Sequence, residues 1–262
     1  MLMDTKILNF DSYNTEMKKS LLDKIFFIDK VDTQVFVDFG CANGELIKFL
    51  YSLFPDFEYI GYDINPEMIK LAQSNVLNVS ENIHFTSDWK EVLNLISERR
   101  STLILNSVIH EVYSYSNLID NDEFWKRIFD GIFDYIVVRD MLPKQSINKR
   151  SDINDIAYVR KRANKAHLKD FENHWGSIED NRNLIHFLLK YRWEENWERE
   201  VKENYFPLYA EYFLEKIPDE YHIDFYDEFV LPFTKRKIKE DFNICLKDTT
   251  HVKCILRRHD VQ

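Results

Sequence analysis

Glycine is scarce in this chain, with five in 262 residues, so each one marks a place where the backbone needs it. Cysteine is scarcer still. Cys41, Cys245 and Cys254 are odd in number and lack CxxC spacing, which gives no disulfide framework and no metal site. No apolar run approaches the length of a membrane span, and Met1 to Phe10 hold no apolar signal core. With no membrane segment and no disulfides, a reducing, cytoplasmic setting is the expectation. Positive charge is in deficit: 35 Lys and Arg stand against 45 Asp and Glu, a net of −10, which argues against a general nucleic-acid binder. Internal repeats and low-complexity tracts are absent. What is abundant is apolar and aromatic side chain, 45% and 15% of residues, enough for one large domain or one domain carrying an insert.

Residues 1–30 read as an amphipathic helical lead-in, with Met17, Leu21, Leu22 and Ile25 on one face and charges on the rest. Short β-branched or aromatic runs then alternate with helical spacing. Strands are predicted at Gln34–Phe39, Phe57–Tyr62, Ile83–Phe85, Thr102–Leu105 and Tyr135–Val138. Helices are predicted between them, one opening at the cap Asn65-Pro66, another over Trp89–Ile96 and a third over Phe124–Phe133. This alternation predicts an α/β fold, a doubly wound parallel sheet with helices on both faces. After Pro143 the pattern changes. Residues 144–218 read as mainly helical with no convincing strand, for example Ile178–Tyr191 and Trp193–Tyr205. Strands return at Tyr221–Phe229 and His251–Arg257, the second alternating in a way that suits an edge. The organisation expected is a sheet domain over 31–143 and 219–262, interrupted by a helical insert over 144–218.

Three strand ends carry the chemistry. The first is Val37-Asp38-Phe39-Gly40-Cys41-Ala42-Asn43-Gly44, an acid at a strand tip followed by a glycine-bearing turn that opens a helix. Ligands of such sheets bind beyond the carboxyl ends of the strands. The spacing is GxxxG; Ala42 stands where a dinucleotide fingerprint has its middle glycine, so a pyrophosphate would lack its close cradle. Asp38 suits a cationic amino group better than a phosphate. The second is Asp63, ending Tyr59-Ile60-Gly61-Tyr62-Asp63, where an acid commonly accepts from ribose hydroxyls, with Ile64 beside it. The third is Ser87-Asp88-Trp89, a carboxylate and an aromatic suited to an exocyclic amine and a base face, although Asp88 is equally a helix cap.

These segments resemble class I S-adenosylmethionine-dependent methyltransferases over roughly residues 30–142 plus the terminal strand pair. VDFGCANG is similar to that family's first motif, YIGYDIN to its second and HFTSDW to its adenine-side segment. The resemblance implies a seven-stranded, mostly parallel sheet whose last strand is antiparallel. It also implies S-adenosylmethionine as cofactor, with Asp38 and Gly40 near the methionine moiety, Asp63 on the ribose and Asp88 near the adenine. Cys41, Ala42, Gly44, Ile64, Trp89, Asn106 and Ser107 complete the expected cofactor-binding set.

The fourth strand is followed by Asn106-Ser107-Val108-Ile109-His110-Glu111-Val112-Tyr113, placed in this fold where the methyl group is transferred. His110 or Glu111 is a candidate general base and Tyr113 a candidate for orienting the acceptor. The bland alternative is a short helix in which these residues cap, pair and pack. Arg139 is either an anion ligand or the partner of an acid. Signatures of amino-group DNA methylation and of cytosine-ring methylation are missing. Residues 142–170 hold eight Lys and Arg against three acids, whereas 171–220 hold six against twelve. The basic part, with Tyr158 and Trp175, is either a phosphate-contacting surface or a solvated face balancing the acidic part. The function expected is methyl transfer to an undetermined, small-molecule acceptor beneath the insert. The alternatives are an RNA- or nucleotide-directed methyltransferase and a catalytically silent S-adenosylmethionine-binding module.

Overall fold

The computed structural model describes residues 20–76, 81–115, 118–130 and 132–259. Its centre is a seven-stranded sheet of β1 (Val35–Phe39), β2 (Glu58–Tyr62), β3 (Ile83–Thr86), β4 (Ser101–Asn106), β5 (Tyr135–Asp140), β6 (Tyr221–Phe229) and β7 (His251–Arg258), in the order β3-β2-β1-β4-β5-β7-β6. The strands from β1 to β5 pair in parallel, and β7 runs antiparallel to both β5 and β6. Every residue of β1 and β5 is buried, as expected of central parallel strands covered on both faces. The order of connections reverses between β1 and β4, which opens a crevice at their carboxyl ends.

Helices cover both faces: α1 (Leu21–Lys24), α2 (Glu45–Leu53), α3 (Pro66–Asn75), α4 (Trp89–Ile96), α5 (Ile109–Tyr115) and α6 (Leu118–Phe129). Asn65 caps α3, accepting from the Glu67 amide at 3.0 Å with Pro66 in the first turn, as the sequence predicts. Within the lead-in, the described residues hold one helical turn, Leu21–Lys24. The chain leaves the helix after Lys24 because Phe26 and Phe27 pack onto Phe225 and Phe36 of the sheet. Met17 lies outside the described residues.

Between β5 and β6 run α7 (Ile153–Arg162), α8 (Lys165–Trp175), α9 (Asn181–Lys190), α10 (Trp197–Glu200) and α11 (Ala210–Glu215). Trp193–Tyr205 is not the continuous helix expected. Trp193 leaves helical dihedrals (φ −101°, ψ 39°) and only Trp197–Glu200 is α-helical. These helices build their own apolar core around Phe171, Leu184, Phe187 and Trp197, which also takes in Ile238 and Phe242 of α12 (Pro232–Phe242), a helix between β6 and β7. The expected edge position of β7 is corrected: β6 is the edge, and β7 lies inside with Val252, Cys254 and Leu256 buried. The polar alternation that suggested an edge comes from Lys253, whose ammonium meets Asp23 and stands 4.3 Å from the centre of the Phe229 ring.

Candidate active site

The turn after β1 is built by backbone conformations that few residues adopt. Gly40 and Gly44 have φ of 75° and 76°, and Ala42, which stands where a dinucleotide fingerprint has its middle glycine, is also left-handed at 46°. A Cβ on Gly40 would lie 2.8 Å from Cγ2 of Val108, bridging the β1 turn to the tip of β4 and closing the crevice between them. Asp63 braces the turn: its Oδ2 accepts from the Ala42 amide at 3.0 Å and its Oδ1 from the Asn65 amide at 2.9 Å. Opposite, Ser107 has a positive φ of 59°, the kind of strained conformation that surrounding structure must impose. Its amide donates to the Arg139 carbonyl at 2.8 Å, and its hydroxyl accepts from Arg139 Nη1 at 3.0 Å.

The resulting cleft is lined by Asp38, Gly40, Cys41, Ala42, Asp63, Asn106, Ser107 and Glu111 from the expected set, joined by Leu21, Lys24, Asn43, Glu45, Leu46 and Val108. Gly44 lies at the N-terminus of α2, where a Cβ would approach Phe85 to 2.9 Å. Asp38 is buried, which pushes its carboxyl up to about 7; nearby Lys24 opposes the shift and Asp63 adds to it. Burial also raises Asp63, against the two amides that favour its charged form.

The remaining expected residues lie elsewhere. Ile64 is exposed beside Asp63. Asp88 is exposed and caps α4, accepting from the Lys90 amide at 2.9 Å. Trp89 stacks into an aromatic cluster with Phe39, Tyr62 and Phe133 instead of walling the cleft. Tyr113 also faces away from the cleft, its hydroxyl accepting from Trp125 Nε1 at 2.8 Å.

Behind the cleft, His110 is buried and its Nδ1 lies 2.6 Å from Oδ1 of Asp140. Asp140 also accepts from the Ile109 and Met141 amides, both at 2.7 Å. Burial depresses His110, but the Asp140 charge and hydrogen bond, with Glu111 and Glu203, more than offset this and hold it up at about 9. Asp140 is kept below the usual carboxylate range: its own burial would raise it, and His110 and the two amides prevail. His110 is therefore an imidazolium near neutral pH, pinned behind the cleft wall. Its neighbour Glu111 lines the cleft, with its carboxyl raised by burial and by Glu203. Arg139 is the partner of an acid, with its Nε 2.8 Å from Asp23.

The helices after β5 grip this region. Arg199 reaches Glu111 at 3.4 Å and Glu203 at 2.7 Å, Tyr115 donates to Glu203 at 2.9 Å, and the Asn204 amide donates to Ser114 at 2.8 Å. Lys24 went unread in the sequence, because the charges of the lead-in were assigned to solvent. The available signal was its position three residues after Leu21, on the apolar face.

A doubly wound sheet with a glycine-lined cleft at its switch point and acids at the tips of β1 and β2 is the arrangement in which open α/β sheets bind ligands. Residues 30–130 match a family model described as a methyltransferase domain. Two similar solved structures support the same architecture. One is an O-methyltransferase family protein from Burkholderia thailandensis (TM-score 0.54, 11% identity, covering 99% of this chain and 62% of that one). The other is the pyocyanin biosynthetic protein PhzM (TM-score 0.53, 13% identity, covering 94% and 57%). The chain thus spans about three fifths of the length of either structure. Over residues 30–130 the chain is thus similar to methyltransferase domains, and its fold is shared with these two structures.

Proposed function

We propose that this enzyme methylates a small-molecule acceptor, with Glu111 taking the acceptor's proton. The observation that carries this is the division of labour on α5: Glu111 lines the cleft, whereas His110 is held protonated behind it by Asp140. When bound, S-adenosylmethionine supplies an electrophilic methyl on a sulfonium. Asp38 would accept from the cofactor's ammonium and Asp63 from its ribose, while Gly40, Cys41, Ala42 and Gly44 shape the turn between them. Asn106 and Ser107, which line the cleft, would border the methyl, and Ile64 and Asp88, outside that lining, would stand towards the adenine. Glu111, lining the cleft with its carboxyl raised, would accept the acceptor's proton. The insert over 144–218 covers the acceptor and excludes water, held to α5 by the Arg199–Glu111 contact.

Charge favours a small acceptor over a nucleic acid. Asp38, Glu45, Asp63 and Glu111 line the cleft, with Lys24 the one basic side chain among its lining residues. Within the basic segment, Lys144 pairs with Glu228, Lys149 with Asp248 and Arg160 with Glu179. Trp175 spends its indole N–H on the Val201 carbonyl and packs on His186. The test is transfer of a labelled methyl into a fractionated cell extract. Label in the small-molecule fraction supports the reading; label confined to RNA or protein overturns it.

A further inference from the structure

Lys24 lies upstream of the segment matched as a methyltransferase domain, yet it lines the cofactor cleft. Only 7% of it is exposed. Its surroundings hold it in place. The Asn106 side chain donates to its carbonyl at 3.2 Å, and its neighbour Asp23 is clamped between Arg139 and Lys253. Among the described residues no carboxylate forms an ion pair with its ammonium, although Asp38, Glu111 and Asp140 all act on it through space.

A buried ammonium without an ion pair is costly unless a bound anion completes it. The cofactor's methionine end carries one anion, its α-carboxylate, and two cationic centres, the α-ammonium and the sulfonium. The four acids that line the cleft cannot pair with an anion, and Asp38 is the one proposed to take the ammonium. Arg139 does not line the cleft and is committed to Asp23 and Ser107. That leaves one basic side chain for the anion. We infer that Lys24 binds the α-carboxylate of the cofactor's methionine moiety, so that α1 completes a site the sheet domain leaves open. In the free protein, burial and Arg139 depress Lys24 to about 8 against the pull of the three acids, and a bound carboxylate would favour its charged form.

The test is a double comparison by titration calorimetry: wild type and Lys24→Met, each with S-adenosylhomocysteine and with its decarboxylated analogue. Lys24→Met is expected to weaken S-adenosylhomocysteine about tenfold or more, the loss of one charge-assisted hydrogen bond. It should move the decarboxylated analogue by less than about threefold. Lys24→Arg should restore a large part of the discrimination, and it tests the idea if the Met variant does not fold. Equal losses on both ligands, or no loss on either, overturn the inference. Wild-type protein binding neither ligand overturns the donor assignment as well, a result distinct from equal losses.

Discussion

At the scale of the residue, the strained positions carry the sharpest consequences. Gly40→Ala places a Cβ on a left-handed residue and against Val108. The expected cost is about 1–3 kcal/mol, read as a lower Tm, together with weakened S-adenosylhomocysteine binding. Asp63→Ala removes the brace of the Ala42 amide as well as the proposed ribose acceptor, and is expected to weaken that ligand more than tenfold by calorimetry. Unchanged affinity would refute the ribose role. The His110–Asp140 pair predicts a pH effect with a definite sign. The folded pKa of His110 is raised from 6.5 to about 9, so its stabilisation is complete below about pH 6.5 and is lost as pH rises through 9. The Tm advantage of wild type over His110→Gln should therefore shrink across that window, and a constant difference would refute the pairing.

Single residues also show where sequence reading succeeded and failed. That Asp38, Gly40 and Asp63 meet at one cleft was legible because strand-tip acids and turn glycines are local features, set by a few neighbours. Trp89 and Tyr113 lie outside the cleft lining because a side chain beside a strand tip turns either to the cleft or to the core, and packing decides which. Here Trp125 and the rings around Phe39 provide the packing. Lys24 was invisible because its burial depends on Asn106 and Asp23, whose positions come from strands far along the chain.

At the scale of the element, α5 is the part shared by cofactor cleft and insert. Glu111→Gln keeps shape and removes the proton acceptor, so the methyl-transfer rate should fall about 100-fold or more while S-adenosylhomocysteine affinity stays within about threefold. A comparable loss in ligand affinity would recast Glu111 as a binding residue. The strands were readable one by one, since each is a short apolar run. Their order was not. Whether β7 or β6 forms the edge depends on which of them pairs with β5, and Lys253 mimics an edge residue only because its partner, Asp23, comes from the opposite end of the chain. The helix α12 escaped notice because its apolar residues Ile238 and Phe242 are sparse among charges.

At the scale of the whole molecule, charge sets the expectation. The net charge of −10 and the ion pairs of Lys144, Lys149 and Arg160 predict that acceptor affinity, once the acceptor is known, changes little between low and physiological salt. A steep linear fall of log affinity with log salt would instead reveal phosphate contacts. No helix among the described residues is long and apolar enough to cross a membrane.

The core shared by α12 and the helices after β5 bears on how acceptor preference can be exchanged between relatives. Phe242 lies 4.8 Å from Tyr191 and 6.4 Å from Phe187, ring centre to ring centre, and Ile244 joins the same cluster. A graft that transplanted residues 144–218 alone would leave those side chains facing a foreign surface. Recombination that changes substrate while keeping the fold must therefore carry two discontinuous pieces, the second spanning roughly 232–244, so a new specificity would be inherited as a matched pair.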